Sequence, residues 1–317
     1  MSHQTTQPIL TLTLNPALDL TGHLEQMRVG EVNLVNSGHL HPAGKGINVA
    51  RVLKDLGAQV LVSGFLGQEN QAPFHELFHN AQLGDHFLVV PGATRINVKM
   101  VEASGRVTDL NFPGVEVSDE ELLRFEQQLQ ALLPQIEYVV VAGSLPRGVT
   151  PERLRQWLQL LAEQGKKVLF DSSGAAMAEG LTAKPFLIKP NEHGLADWAG
   201  RPLESIEALM AAAEALQACY QIPHVVVSRG ADGVLWLAGD TWWQAKPPRM
   251  SVVSTVGAGD SMVAGLAWGL SQSWPMEQIL RLASAVSALA VTQIGVGIAD
   301  PQQLATLMAS IEVQQLS

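Results

Sequence analysis

The chain has 317 residues, 47% of them hydrophobic and 16% charged, a composition that can bury one large core. Its net charge of −10, with no run of lysine or arginine, disfavours binding to nucleic acid or to a membrane surface. No apolar run approaches the roughly 20 residues that span a bilayer. The polar N-terminal stretch and the single cysteine predict a cytoplasmic protein without disulfides, and we expect the Cys219 thiol to be packed.

Short apolar runs alternate with longer segments of helical periodicity along most of the chain. Strands are predicted at 9–14, 60–65, 138–141, 167–170, 186–188 and 224–227. Helices are predicted at about 46–56, 70–81, 118–133, 150–164, 203–218, 259–272 and 275–291, with one more after Asp300. This alternation predicts a single α/β domain over 1–317, with a doubly wound, mostly parallel sheet and helices on both faces.

Two segments, at about 20–41 and 94–112, interrupt this alternation because they contain strand-like runs with no helix between them. One such run extends from Arg95 to Val101. We predict that the two segments together form a small antiparallel sheet that projects from the core.

The turn from Ser254 to Ser261 reads S-T-V-G-A-G-D-S and leads into the apolar helix predicted at 259–272. Free N–H groups at the start of a helix suit a phosphate, and those of Gly257, Ala258 and Gly259 would stabilise charge on a transferring group. Because a carboxylate there would repel the anion, we interpret Asp260 as a base that removes a proton from an attacking hydroxyl. The alternative is an ordinary aspartate N-cap.

A second glycine motif, P-A-G-K-G-I-N-V-A, extends from Pro42 to Ala50 and begins the helix predicted at 46–56. Its glycines allow close approach of a ligand, and the Asn48 amide can both donate hydrogen bonds to a ligand and accept them. A simple strand-to-helix turn is the alternative. The two motifs, in this order, resemble the signatures of the ribokinase-like (PfkB) sugar kinases, and the resemblance extends over 12–299.

This resemblance implies transfer of the γ-phosphoryl group of ATP to the C6 hydroxyl of fructose 1-phosphate. Tagatose 6-phosphate and fructose 6-phosphate are the alternative acceptors within the family. A regulator that binds sugar phosphate without catalysis is the alternative from another class. The resemblance also implies that the small sheet is a lid over the sugar and joins two subunits as a homodimer.

Several segments at predicted strand ends resemble the sugar-binding parts of the family. Asp19 follows the first strand, and its carboxylate could accept hydrogen bonds from two hydroxyls, although a turn aspartate is the alternative. Arg95 offers a guanidinium fork for the phosphate of the substrate. The implied sugar-phosphate residues are Asp19, Gly44, Lys45, Asn48, Arg95 and Ser144.

The nucleotide contacts are expected in the C-terminal half. The run Lys189-Pro190-Asn191 resembles the family's K-P-N motif, and the turn from Ser228 to Gly233 resembles its S-x-G-x-x-G turn. A β-hairpin would produce the same glycine pattern in that turn. The implied nucleotide residues are Lys189, Asn191, Ser228, Gly230, Gly233, Thr255 and Gly259.

One departure concerns the metal. The family commonly has N-x-x-E after this lysine and proline, with the glutamate linked to magnesium through water, but Gly194 occupies that position and Glu192 comes two residues early. We still expect Mg²⁺, because phosphoryl transfer from ATP needs charge neutralisation, and a monovalent cation such as K⁺ is implied as well. No residue of the chain is assigned as a metal ligand.

The run from His75 to His79 matches H-E-x-x-H, in which two histidines on one helix face bind zinc. No third ligand is evident in a clear downstream helix, so we interpret this match as incidental. Phe74, Leu77 and Phe78 instead look like the buried stripe of a surface helix.

Overall fold

The computed structural model describes residues 7–316. The strands are β1 (Ile9–Thr13), β2 (Ala17–Leu24), β3 (Ser37–Ala43), β4 (Val60–Gly67), β5 (Gly84–Asp85), β6 (Leu88–Val90), β7 (Ile96–Glu102), β8 (Val107–Leu110), β9 (Tyr138–Ala142), β10 (Lys167–Asp171), β11 (Leu187–Ile188), β12 (His224–Ser228), β13 (Val234–Ala238), β14 (Thr241–Lys246) and β15 (Glu312–Leu316). The helices are α1 (Lys45–Asp55), α2 (Ala72–Asn80), α3 (Asp119–Leu132), α4 (Pro151–Glu163), α5 (Gly174–Leu181), α6 (Glu192–Ala199), α7 (Ile206–Tyr220), α8 (Ala258–Ser271), α9 (Met276–Val291) and α10 (Pro301–Ser310).

The central sheet has the strand order β15-β14-β13-β12-β11-β10-β9-β1-β4-β5, and β6 also pairs with β4. The pairs from β12 to β5 are parallel, whereas β12 to β15 form antiparallel pairs at the other edge. The predicted mostly parallel, doubly wound sheet is therefore confirmed. Open α/β sheets bind ligands at the edge formed by the carboxyl ends of their parallel strands.

Two hydrophobic cores cover the two faces of this sheet. One contains buried residues of α1, α8 and α9, and the other contains buried residues of α3, α4 and α7. Neighbouring residues of β1 point into different cores, Ile9 into the first and Leu10 into the second. Because both faces are covered, the parallel strands are continuously apolar rather than alternating.

Two short helices, α5 and α6, were not predicted. The α5 sequence is rich in glycine and alanine, so it has no strong apolar periodicity, and α6 has only Leu195 fully buried. The local signals for α6 are its ends, where the Asn191 side chain caps the first turn and Gly200 adopts the left-handed conformation.

Strands β2, β3, β7 and β8 form the separate small sheet, in the order β3-β2-β7-β8. Its β2–β3 and β7–β8 pairs are antiparallel as predicted, whereas the central β2–β7 pair is parallel. The chain passes through the core between β2 and β7, and such a long crossover permits parallel pairing. We call this sheet the lid sheet.

Two further features concern the surface. None of the helices within residues 7–316 is long and apolar enough to cross a membrane. The expectation of a packed thiol is wrong, because Cys219 is exposed. It lies in the last turn of α7, beyond the apolar stripe that ends at Leu216.

Candidate active site

The glycine turn before α8 creates a site for an anion. Gly257 adopts φ +81° at the start of the helix, and a Cβ there would lie 2.3 Å from a methyl group of Val296. Only glycine satisfies both conditions at this position. The first N–H groups of α8 have no partner within the helix, so Gly257, Ala258 and Gly259 present donors at this point.

Asp260 lies in the first turn of α8 and is only 6% exposed. Its Oδ2 atom accepts a hydrogen bond from Nδ2 of Asn48 at 2.9 Å. Burial raises the pKa of the Asp260 carboxyl, while the Asn48 bond and the charges of Lys45 and Lys189 oppose this increase. A buried carboxylate with a raised pKa is a stronger proton acceptor, as a general base requires.

Asp171, at the end of β10, completes this group and was not identified from the sequence. Its Oδ2 atom lies 3.7 Å from Nζ of both Lys45 and Lys189. Its negative charge also contributes to the raised pKa of Asp260. The signal that could have found it is its position, since it ends an apolar strand at the carboxyl edge of the sheet.

The start of α1 brings Lys45 and Asn48 to Asp171 and Asp260. A Cβ on Gly44 would lie 2.6 Å from the Thr13 side chain, and one on Gly46 would lie 2.2 Å from Thr13 Oγ1. Glycines therefore allow α1 to begin directly against β1. This packing places Lys45 beside Asp171 and Asn48 beside Asp260.

Asp19 is buried on one face of the lid sheet, where it pairs with His41 of β3 and Asn97 of β7. Burial raises the pKa of the Asp19 carboxyl, whereas Lys99, His41 and Arg95 lower it by charge and Asn97 by a hydrogen bond. Asp19 therefore lies among donors and cations that the lid sheet brings together. The contributions of Asn97 and His41 were not predicted.

Arg95 lies near Ser144, and its donors contact the protein itself. The guanidinium donates to the carbonyl oxygens of Asn15 at 3.0 Å and Phe112 at 3.1 Å, and its Nη2 lies 3.5 Å from Ser144 Oγ. Asn15, also missed by the sequence interpretation, donates to Ser144 Oγ at 3.0 Å. The fork of Arg95 must leave at least part of this network to bind a phosphate.

Most of the predicted nucleotide residues line one cavity of about 650 Å³, which we call the nucleotide cavity. Its lining includes the predicted residues Asn191, Ser228, Gly230, Gly233, Thr255 and Gly259. The rest of the lining is largely apolar, with Pro247, Met250 and Val291 among its residues. Such a lining suits a flat base beside a few polar groups. Lys189 lines a neighbouring cavity instead.

The turn from Ser228 to Gly233 is a hairpin connection between the antiparallel strands β12 and β13. The hairpin alternative therefore describes its backbone correctly, and the same turn lines the nucleotide cavity. Gly233 has φ +94°, and a Cβ there would lie 2.1 Å from the Ala245 carbonyl oxygen.

At the start of α6, Gly194 occupies the position at which the family commonly has a glutamate. The Gly194 N–H donates to Oδ1 of Asn191 at 2.7 Å, and Glu192 forms an ion pair with Arg229 at 3.0 Å. Within residues 7–316 no group of three or more His, Cys, Asp or Glu side chains is placed to hold a metal ion. Mg²⁺ in kinases is held by one or two carboxylates together with substrate phosphates, and Asp171 supplies a buried carboxylate that fits this requirement.

The H-E-x-x-H run lies on α2, where the buried side chains are Phe74 and Phe78, while Leu77 is only partly buried. Both ring nitrogens of His75 contact protein groups, Nδ1 the Asp85 carboxylate and Nε2 the Gln71 side chain at 2.9 Å. His79 is exposed. These contacts give His75 a local structural role in the first turn of a surface helix.

Comparison with known proteins identifies the family of this chain. Residues 12–303 match the model of the pfkB family carbohydrate kinases. A 1-phosphofructokinase of Vibrio cholerae serotype O1 is 53% identical over 312 residues, which cover 98% of this chain and 98% of that protein. Phosphofructokinase-2 of Escherichia coli in complex with fructose-6-phosphate has a TM-score of 0.86 at 28% identity, with 96% of this chain and 98% of that chain covered. Its structure in complex with potassium gives a TM-score of 0.87 at 29% identity, with the same coverage. The chain therefore belongs to the pfkB family of carbohydrate kinases.

Proposed function

We propose that this chain transfers the γ-phosphoryl group of ATP to the C6 hydroxyl of fructose 1-phosphate, forming fructose 1,6-bisphosphate and ADP. The observation that carries the proposal is the buried Asp260 at the glycine turn, hydrogen-bonded to Asn48 and close to two lysines. The 53% identity to a 1-phosphofructokinase over nearly the whole chain supports this choice of acceptor.

In this reaction Asp260 takes the proton of the attacking hydroxyl. The raised pKa favours that transfer, and the N–H groups of Gly257, Ala258 and Gly259 stabilise charge on the transferring phosphoryl group. Lys189 lies beside the same turn, since a Cβ on Gly259 would be 3.4 Å from its Nζ atom. Its charge offsets the negative charge that the two substrates bring together.

The acceptor occupies the region between the lid sheet and α1. Asp19, Gly44, Asn48 and Ser144 hold the sugar, and Arg95 with Lys45 holds its phosphate. Binding requires the Arg95 fork to exchange carbonyl partners for phosphate oxygens, an exchange favoured by charge-assisted hydrogen bonds.

ATP occupies the nucleotide cavity with its phosphates directed towards Lys189 and the start of α8. Mg²⁺ neutralises phosphate charge when bound, and Asp171 is the carboxylate that would hold it. A monovalent cation such as K⁺ is part of the proposal, supported by the relative solved with potassium. Because ATP and sugar phosphates are cytoplasmic metabolites, we place the protein in the cytoplasm.

We also propose a homodimer through the outer face of the lid sheet. Leu20, Leu40, Ile96 and Leu110 lie on the face opposite Asp19, and each is 39% to 49% exposed. A contiguous apolar face of this kind is typical of a subunit interface.

The test is a kinase assay of the purified protein with fructose 1-phosphate, fructose 6-phosphate and tagatose 6-phosphate. We expect kcat/KM for fructose 1-phosphate to exceed the others by about 100-fold. Fructose 6-phosphate is the second candidate because a relative was solved with it, and a higher kcat/KM for that sugar would favour it. Binding of all three sugars without turnover would instead indicate a regulator.

A further inference from the structure

A second cavity, of about 550 Å³, lies between α5 and α6 beside the transfer site, and we call it the α5–α6 cavity. One part of its lining, Lys45, Asp171, Lys189 and Gly259, belongs to the site already described. The other part comes from α5, β11, α6 and α7, and it is largely apolar, with Met177, Leu181, Ile188, Trp198 and Leu216. The α6 wall also carries two polar residues, His193 and Asp197. The proposed reaction assigns no ligand to this apolar part.

The polar part contains one buried cation, Lys189, together with Lys45, whose side chain is 52% exposed, and the exposed Ser173. The Lys189 side chain is 6% exposed, and its three-proton ammonium has the Asp171 carboxylate as its ionic partner at 3.7 Å, beyond hydrogen-bond distance. Lys45 shares that same oxygen atom at the same distance. Nearby, the Ser173 side chain makes no capping bond at the start of α5. The buried Lys189 ammonium, with its carboxylate partner at 3.7 Å, favours an anionic acceptor.

The apolar part is open in this chain for a specific reason. Gly194 lines the cavity, so no side chain enters from that position of α6. A Cβ there would approach only Asn191 Oδ1, at 3.2 Å, and the Pro190 side chain, at 3.9 Å. The space beside Trp198 and Met177 therefore remains available to a ligand, and its volume is in the range of small-molecule sites.

We propose that the α5–α6 cavity binds a small organic phosphate with an aromatic or apolar body. Lys189 and Lys45 would contact the phosphate, and Trp198, Met177 and Leu181 would contact the body. Such a ligand competes with ATP, because Asn191, Ser228 and Gly259 line both this cavity and the nucleotide cavity. Only this competition rests on the proposed function; the binding itself does not.

Isothermal titration calorimetry of the full-length protein with phenyl phosphate, inorganic phosphate and phenol tests the binding. We expect phenyl phosphate to bind about tenfold more tightly than inorganic phosphate, since both parts of the cavity contribute, and phenol to bind least. Ala178→Trp should weaken phenyl phosphate binding about tenfold by filling the cavity. Its matched control is Ala175→Trp, because both alanines are exposed on α5 but only Ala178 lines the cavity.

Gly194→Leu fills the cavity from the opposite wall and should have the same effect as Ala178→Trp, with unfolding temperatures recorded for each variant. Equal affinity for phenyl phosphate and inorganic phosphate would overturn the proposal, as would unchanged binding in both cavity-filling variants. Titrations without ATP or sugar keep the two proposals separate. A protein that binds phenyl phosphate but does not phosphorylate fructose 1-phosphate would contradict the proposed function alone.

Discussion

The charged groups at the two ends of strand β10 differ in their hydrogen bonding to the rest of the protein. At its amino end, Lys167 donates to Glu137 at 3.2 Å and to the Tyr138 hydroxyl at 3.4 Å, and it lies over the rings of Tyr138 and Phe186. At its carboxyl end, Asp171 faces two lysine ammonium groups at 3.7 Å.

We infer from this difference that the amino end contributes to the stability of the fold and that the carboxyl end serves the proposed reaction. Polar groups at the amino end have partners within the protein, so they add to the stability of the native state. Charges at the carboxyl end are held together without close hydrogen bonds, an arrangement that a ligand can complete. Substitutions at the amino end should therefore change stability, and substitutions at the carboxyl end should change ligand binding and turnover.

The largest effect is expected at Asp260. Asp260→Asn retains the shape and the contact with Asn48 but removes the proton acceptor, so kcat should fall by roughly 100-fold or more. Steady-state kinetics and nucleotide binding by calorimetry measure this, and ATP affinity should be retained. Near-normal turnover would remove Asp260 from the mechanism.

Asp171→Asn should lower kcat by about 10- to 100-fold, because the two lysines lose their shared carboxylate. It should also move the acid limb of the pH profile of kcat to lower pH, since the charge of Asp171 helps to raise the pKa of Asp260. The exposed Glu163→Gln on α4 serves as the matched control. An unshifted acid limb would argue that Asp171 does not act on Asp260.

Arg95→Ala should raise the KM for fructose 1-phosphate by about tenfold or more and leave the KM for ATP nearly unchanged. Arg95→Lys should rescue this only in part, because lysine supplies charge without the fork. Since Arg95 also contacts three backbone carbonyl oxygens, unfolding temperatures must accompany the kinetics. A higher KM for ATP with an unchanged KM for fructose 1-phosphate would place Arg95 on the nucleotide side.

The smallest effect concerns stability at His224, which begins β12 at the same edge of the parallel sheet as Lys167. Burial, with a smaller contribution from Lys167, lowers the pKa of His224 to about 4 from 6.5, so the native state favours the neutral ring. Its contribution to stability is full above pH 6.5 and is lost as the pH falls from 6.5 through 4. Loss of this contribution should lower the free energy of unfolding by about 2 kcal/mol as the pH falls from 7 to 5.

His224→Gln should reduce that pH dependence while leaving kcat near normal, because the glutamine oxygen can still accept the Trp236 Nε1 hydrogen bond that His224 receives at 3.3 Å. Denaturant unfolding at several pH values measures the change. His193→Gln is the matched control, since that side chain is 86% exposed. Identical pH dependence in wild type and His224→Gln would show that His224 does not contribute.

The alternation of apolar strands and helices was predictable because each parallel strand is buried on both faces and each long helix on one. The helices α5 and α6 were missed because they are short and bury few residues, so their ends rather than their periodicity define them. The parallel β2–β7 pair of the lid sheet was also not predictable, since it depends on how the chain returns from the core.

The sequence by itself determined the glycine turns and the polar residues next to them, because backbone conformation and helix starts depend on local residue types. Only the tertiary structure decided which of these residues meet. Asn48 and Asp260 are 212 positions apart, and Asp171 meets Lys45 only because β9 and β10 are neighbours in the sheet and α1 starts against β1. Contacts between distant segments follow from strand order and helix packing, and local sequence patterns do not specify either one.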